Sequence, residues 1–369
     1  MTTQSIESRL DEATIKALDG WRTRRSPAPS RSEAVRLLLE ERLLTNWNVA
    51  TGAPLRNVHC PSVERLSAIF TLERVSGFGP VKFRAMYEAG VDAQTAIGEP
   101  NLLPFTGRTG EKLRNGINSL SDADRAEARA RAVDQLERAN DLSAAILVHG
   151  DPRYPARVYA SNNPVPVLYV RGNPEVWDEA GAVAIVGSRN TREPYADAAR
   201  QFATAATRKG LVVVSGFAMG ADSIGHRAAV EAGGRTVCVM PCGLDKVFPP
   251  ENRGLWEELL AYSGATFVSE FGFGQRASSL FLRKRNKLIV AFAQGVLVAQ
   301  SATTGGAMNA YRFGREQKKP VATFETDGSE GTSGNALIGR DECTGGFVFE
   351  LTSDSSGQEA WLQRLSSWI

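Results

Sequence analysis

The chain has 369 residues, too many for one ordinary core, so two or three domains are expected. Its 43 lysines and arginines nearly balance 41 aspartates and glutamates, so no global field marks a polyanion partner, and any nucleic-acid binding must come from local patches. Four scattered cysteines (Cys60, Cys238, Cys242 and Cys343) are too few for a disulfide framework, and with three histidines in the chain a zinc site at Cys238 and Cys242 is not expected.

The N-terminus opens on Thr2, Thr3, Gln4 and Ser5 without the apolar run of a signal peptide, and no stretch approaches a membrane span, so a cytoplasmic protein with no membrane partner is expected. Residues 1–46 read as a first unit. Residues 4–10 alternate, with Ile6 and Leu10 on one face, as in a short strand; a helix follows over about 11–24, with Ile15 and Leu18 as its stripe. Pro27 and Pro29 break it, and a second helix starts at Ser30 with Glu33 completing a capping box. One strand and two helices cannot bury a core alone, so two copies should pair and the chain should be at least a homodimer. The layout, with Ser30-Arg31-Ser32-Glu33 at the second helix start, resembles the ribbon-helix-helix family. Either the unit only dimerises or it also reads duplex DNA; Glu7 on the face that would meet DNA counts against the second.

Residues 60–140 read as helical, with glycine turns at Val75-Ser76-Gly77-Phe78-Gly79-Pro80 and Phe105-Thr106-Gly107-Arg108-Thr109-Gly110. The pair looks like helix-hairpin-helix motifs, whose glycines let backbone N–H groups approach a phosphate; two ordinary helix connections would read the same way. Residues 122–140, rich in alanine, arginine and acids, read as a solvated linker helix.

From residue 141 to 325 the expected fold is α/β, a Rossmann-like mostly parallel sheet with helices on both faces. Apolar runs at 183–186, 211–214, 236–240, 266–269, 296–299 and 321–324 alternate with helical stretches, the pattern of strands buried on both faces. Ligands of such sheets lie beyond the carboxyl ends of the strands. The residues there are Gly187-Ser188-Arg189, then Ser215-Gly216-Phe217 leading to Asp222 and His226, then Gly243-Leu244-Asp245. A basic stretch, Arg283-Lys284-Arg285-Asn286-Lys287, is read as opening a helix, and Thr304-Gly305-Gly306 stands at another helix start, where N–H groups favour an anion. Arginine supplies a planar fork suited to phosphate. Residues 326–369 read as an irregular tail with a short helix at 361–368.

Taken together and in this order, these segments resemble the DNA-processing protein A family, also called Smf. The resemblance rests on Gly187 to Arg189, Ser215 to Asp222 with His226, Gly243 to Asp245 before Phe248-Pro249, Ser269-Glu270, Arg285-Asn286-Lys287 and Thr304-Gly305-Gly306. It implies a single-stranded DNA binder that acts as a recombination accessory, protecting incoming DNA in transformation or defence and loading a RecA-type recombinase, with no cofactor. It also implies that Gly187, Ser188, Arg189, Ser215, Gly216, Phe217, Arg285, Asn286, Lys287, Thr304, Gly305 and Gly306 meet the phosphates. The chain departs from the family in having Met219 at a position that is often basic, Lys287 for arginine and Gln300 for a common glutamate.

No catalytic constellation stands out. Aligning Thr304-Gly305-Gly306 with the signature of nucleotide-cleaving relatives of this fold puts Arg312 where a carboxylate must stabilise a sugar cation. Ser188 has no visible base, and no Walker A lysine-serine pair exists. A nucleotide-binding enzyme or sensor using the same pocket, and a duplex-binding regulator acting through the first unit, are the alternatives.

Overall fold

The structure is a computed structural model that describes residues 60–177, 181–351 and 356–366. It also describes a two-residue antiparallel ladder, β1 (Trp47–Asn48) with β2 (Ala53–Pro54), in a separate unit ending at Val58. The strand and helices expected within residues 1–46, and their pairing, lie outside the described residues.

Among the described residues, five helices precede the sheet: α1 (Val63–Glu73), α2 (Pro80–Glu88), α3 (Ala93–Gly98), α4 (Gly107–Asn118) and α5 (Asp122–Asp141). The glycine turns do join helical segments. At the first, Gly77 takes a φ of 89° and Pro80 opens α2; at the second, Gly107 takes 59° at the start of α4. Ser121 and Asp124 form a capping box that starts α5. That helix is not the solvated linker its charges suggest. Ala128, Ala132, Gln135 and Ala139 are buried along one face, and the Gln135 side chain accepts from the Phe273 amide at 2.7 Å and donates to its carbonyl at 3.2 Å. Small alanines hide this apolar stripe among arginines and acids, and they let α5 pack closely on α1 and β3.

The sheet has nine strands: β3 (Ala144–Val148), β4 (Val167–Gly172), β5 (Ala182–Val186), β6 (Val212–Ser215), β7 (Thr236–Val239), β8 (Ala265–Ser269), β9 (Gly295–Val298), β10 (Val321–Phe324) and β11 (Phe347–Phe349). Their order is β11-β10-β9-β5-β6-β7-β8-β4-β3, parallel except that β4 runs antiparallel to both its neighbours. The helices between them are α6 (Ala156–Ala160), α7 (Tyr195–Arg208), α8 (Ala221–Glu231), α9 (Arg253–Ala261), α10 (Ser279–Phe292), α11 (Met308–Glu316), α12 (Ser333–Gly339) and α13 (Ser356–Ser366). Strands β5 to β10 are buried at every position, as their unbroken apolar runs require.

Chain order runs β5, β6, β7, β8 to one side, and then β9 returns to pair with the other side of β5, with Ile185 beside Leu297. That reversal opens a crevice at the carboxyl ends of β5 and β9.

Residues 326–369 are not an irregular tail. Strand β11 pairs parallel with β10, and α13 starts at Ser356, earlier than the expected 361. Trp361 and Leu362 are buried in the core, with the indole 6.0 Å from the Phe202 ring and 5.9 Å from Phe349. The short strand and the glycines around it mask this continuation of the α/β domain.

Candidate functional site

The crevice beyond β5 and β9 is a cleft of about 910 Å³. The loop after β5 brings Gly187, Ser188 and Arg189 to it, α10 brings Arg285 and Asn286, and the turn after β9 brings Gly305 and Gly306. The Ser188 amide donates to the Gln300 carbonyl at 2.7 Å, which ties the two loops together across the reversal. The Ser188 hydroxyl accepts from the Asn190 amide at 3.1 Å, and the Gln300 side chain accepts from the Arg192 amide at 3.0 Å.

Ser215, Gly216, Phe217, Lys287 and Thr304 are not among the described residues that line the cleft. The Ser215 hydroxyl donates to the Ile185 carbonyl at 2.5 Å, so it staples β6 to β5. Phe217 is fully buried, 5.3 Å from the Phe267 ring and 6.0 Å from Trp256, with φ at 62°. Its carbonyl accepts from Asn252 at 2.9 Å, which helps hold this left-handed backbone. The Lys287 ammonium lies 5.2 Å from the centre of the Phe313 ring, and Thr304 is exposed on its turn.

Arg285 departs furthest from its expected place. It does not sit at a helix start: α10 begins at Ser279, capped by the Ser278 hydroxyl accepting from the Phe281 amide at 3.2 Å. Nearly two turns into the helix, the Arg285 guanidinium is buried and donates to the carbonyls of Gly216 and, at 2.8 Å, Val239; its Nε donates to Asn286 at 3.1 Å. Asn286 in turn donates to the Gly306 carbonyl at 3.3 Å. Asp222 accepts from the amides of Gly216 at 3.1 Å and Ala218 at 3.2 Å. Burial raises the Asp222 pKa against the nearby Arg285, while burial lowers that of Arg285 against Asp222, with Arg189 adding to the depression. These two charges hold the floor of the cleft. A side chain at Gly216 would collide with the guanidinium, which explains glycine there.

The cations that face the cleft with no ion pair among the described residues are Arg189, Arg192 and Arg283, all exposed. Arg192 escaped the sequence reading, although it lies in the same loop as Arg189. The segment 327–331 after β10 was missed too, because the tail reading concealed that β10 has a carboxyl-end loop of its own. That segment makes the cleft mixed in charge: Glu193, Asp327 and Glu330 also line it. The Thr332 hydroxyl, donating at 2.6 Å, leads in holding Asp327 down to about 2.

His226 does not reach the cleft. It is fully buried in α8, with Nδ1 2.7 Å from the Thr236 hydroxyl, and burial lowers its pKa to about 3. Asp222 does line the cleft, where its carboxylate is engaged by the amides of Gly216 and Ala218. Among the described residues no group of histidines, cysteines and acids could hold a metal ion, and no helix is long and apolar enough to cross a membrane.

A family model described as DNA recombination-mediator protein A matches residues 145–341, just over half of the chain. Protein Smf of Synechocystis sp. is 30% identical over 189 residues, covering 50% of this chain and 47% of that protein. The DNA processing protein DprA of Bacillus subtilis is 28% identical over 177 residues, covering 48% and 58%. The chain thus spans about half the length of the curated relatives it matches. In fold it is similar to DNA processing protein A of Streptococcus pneumoniae, with a TM-score of 0.60 at 21% identity over 82% of this chain and 98% of that one. It is also similar to the Helicobacter pylori protein, whose structure concerns its single-stranded DNA binding mode, with a TM-score of 0.52 at 22% identity over 60% and 97%. The matched residues span β3 to the loop after α12 and include both loops of the crevice, and the chain belongs to the DNA recombination-mediator protein A family.

Proposed function

We propose that the protein binds single-stranded DNA along the cleft at the β5–β9 reversal and acts as a non-catalytic recombination accessory. The observation that carries this reading is the trio of arginines, Arg189, Arg192 and Arg283, facing an open cleft without intramolecular partners among the described residues. Unpaired guanidinium forks beside glycine turns suit phosphate oxygens. The acids Glu193, Asp327 and Glu330 in the same cleft disfavour a uniform polyanion coating. Family membership agrees with this use, as does the single-stranded DNA binding mode named for the Helicobacter pylori protein. Handing the strand to a RecA-type recombinase and pairing of the chain with itself belong to the same proposal, as does a cytoplasmic setting.

A free nucleotide in the same place is the second reading, because about 910 Å³ lies within the range of small-molecule clefts. Titration with single strands, duplex and mononucleotides separates the two. The first reading predicts that single strands bind most tightly. Saturable binding of a mononucleotide with no gain from a longer strand would replace it with the second.

A further inference from the structure

Helices α10 and α11 both begin at the cleft: Ser279 on the first and Asn309 on the second line it. From there the two helices pack side by side. The contacts between them fix which residues meet. The side-chain amides of Asn286 and Asn309 both donate to the Gly306 carbonyl, at 3.3 and 3.2 Å. Further along, the Lys287 ammonium sits 5.2 Å from the centre of the Phe313 ring, and Gln317 donates to the Lys287 carbonyl at 3.4 Å. The seam between the helices therefore runs away from the cleft, with later residues of α10 meeting later residues of α11.

This seam is basic where it leaves the cleft. Arg312 is exposed and donates to Asn309 at 3.3 Å, so its guanidinium reaches back to a residue of the cleft lining. Across the seam, Lys287 stands one turn beyond Arg283, which also lines the cleft, and on the same face of α10. Four residues of helix separate the two, a rise of about 6 Å, roughly one nucleotide of extended backbone. Lys284 is exposed on the same turn. Neither Lys287 nor Arg312 lines the cleft itself, and neither is in an ion pair among the described residues. Two acids bear on this stretch. Glu270 interacts with Lys284 and Lys287, and Glu316 is exposed one turn beyond Arg312, at the last position of α11.

We infer that a single strand leaves the cleft along the α10–α11 seam, where Lys287 and Arg312 hold the next one or two phosphates and Glu316 ends the track. The inference rests on the single-strand reading of the cleft and adds to it a path and a length. Lysine and arginine on opposite sides of a seam suit a backbone that passes between them, and the asparagines at its mouth keep the two helices in register. A mononucleotide held in the cleft has no use for the seam.

The test measures the affinity of fluorescein-labelled oligo-dT, from about 4 to about 16 nucleotides, the span of known single-strand site sizes. The full chain is compared with its Lys287→Gln/Arg312→Gln double variant and with Arg189→Ala. The shortest strands should bind the double variant as they bind the parent. Longer strands should favour the parent by about tenfold, with a salt slope steeper by about 1.4 for two phosphates. Glu316→Lys should strengthen the binding of long strands alone. Because Lys287 packs on Phe313, melting curves accompany the titrations, and the exposed Arg312→Gln alone decides the matter if the double variant unfolds. Parent-like affinity of the double variant at every length, while Arg189→Ala weakens them all, would overturn the seam and leave the cleft reading standing. A loss equal at all lengths would place the two cations in the cleft and overturn the seam as well. If no strand binds the parent, the single-strand reading fails and the seam falls with it.

Discussion

Arg285 and Asp222 grip the same residue from its two sides. The guanidinium donates to the Gly216 carbonyl, and the carboxylate accepts from the Gly216 amide at 3.1 Å. Both are buried. The arginine that a motif reading assigns to DNA is thus a strut beneath the cleft, and the stability of the cleft depends on it. Arg285→Ala strips charged donors from two buried carbonyls and leaves Asp222 without its counter-charge. We expect a loss on the order of 2–4 kcal/mol in unfolding free energy, seen as a lowered Tm. A variant that melts like the parent would show that the strut bears no load.

Arg189 should behave in the opposite way. It is exposed and unpaired among the described residues, so Arg189→Ala should leave the melting curve unchanged while weakening single-strand binding. A charge-assisted phosphate contact contributes about 1.5–3 kcal/mol, roughly ten- to a hundredfold in affinity. Arg189→Lys should recover part of the loss, because the charge returns without the fork. Fluorescence anisotropy alongside calorimetry separates the two arginines cleanly.

The contrast between these residues shows what the sequence could and could not reveal. Strands β5 to β10 were legible because each is a short, largely apolar run between helical stretches, and the carboxyl-edge rule then found the loops of the cleft. Exposure was not legible. Arg189 and Arg285 both follow family motifs, yet one faces solvent and the other lies beneath Gly216, a difference set by packing between α10 and β6–β7. Alanine at 128, 132 and 139 concealed the buried face of α5, since a small side chain gives a weak apolar signal. β11 is three residues long, too short to show a period in the sequence.

The C-terminal helix provides a third expectation. Trp361 is 2% exposed and its ring approaches Gly295 at the start of β9. Trp361→Ala should cost about 3–5 kcal/mol, the usual price of a large cavity in a core. Removing residues 347–369 should destabilise the α/β domain rather than trim a tail. Urea denaturation of both variants measures this; an unchanged midpoint would mean that α13 is dispensable.

Stability should also fall in mild acid. His226 has its pKa lowered to about 3 and His149 to about 4, burial being the first cause for each. Between these values and the unfolded value near 6.5, the unfolded chain binds more protons than the folded one. The stability is fully present above about pH 6.5 and is lost as pH falls toward 4. His226 alone accounts for about 2 kcal/mol by pH 5. Chemical denaturation from pH 7 to 4 should show this loss, and His226→Gln should flatten the slope. An equal slope in the variant would place the acid sensitivity elsewhere.

The salt dependence of single-strand binding tests the central claim most directly. If phosphates lie against Arg189, Arg192 and Arg283, the logarithm of the association constant should fall linearly with the logarithm of salt concentration, by about 0.7 for each phosphate neutralised. Replacing all three arginines with alanine should therefore flatten the slope by about 2 while the protein stays folded. Duplex of the same length should bind more weakly than the single strand throughout. A salt-insensitive interaction, a preference for duplex, or a slope unchanged in the triple variant would contradict the assignment of this cleft to single-stranded DNA.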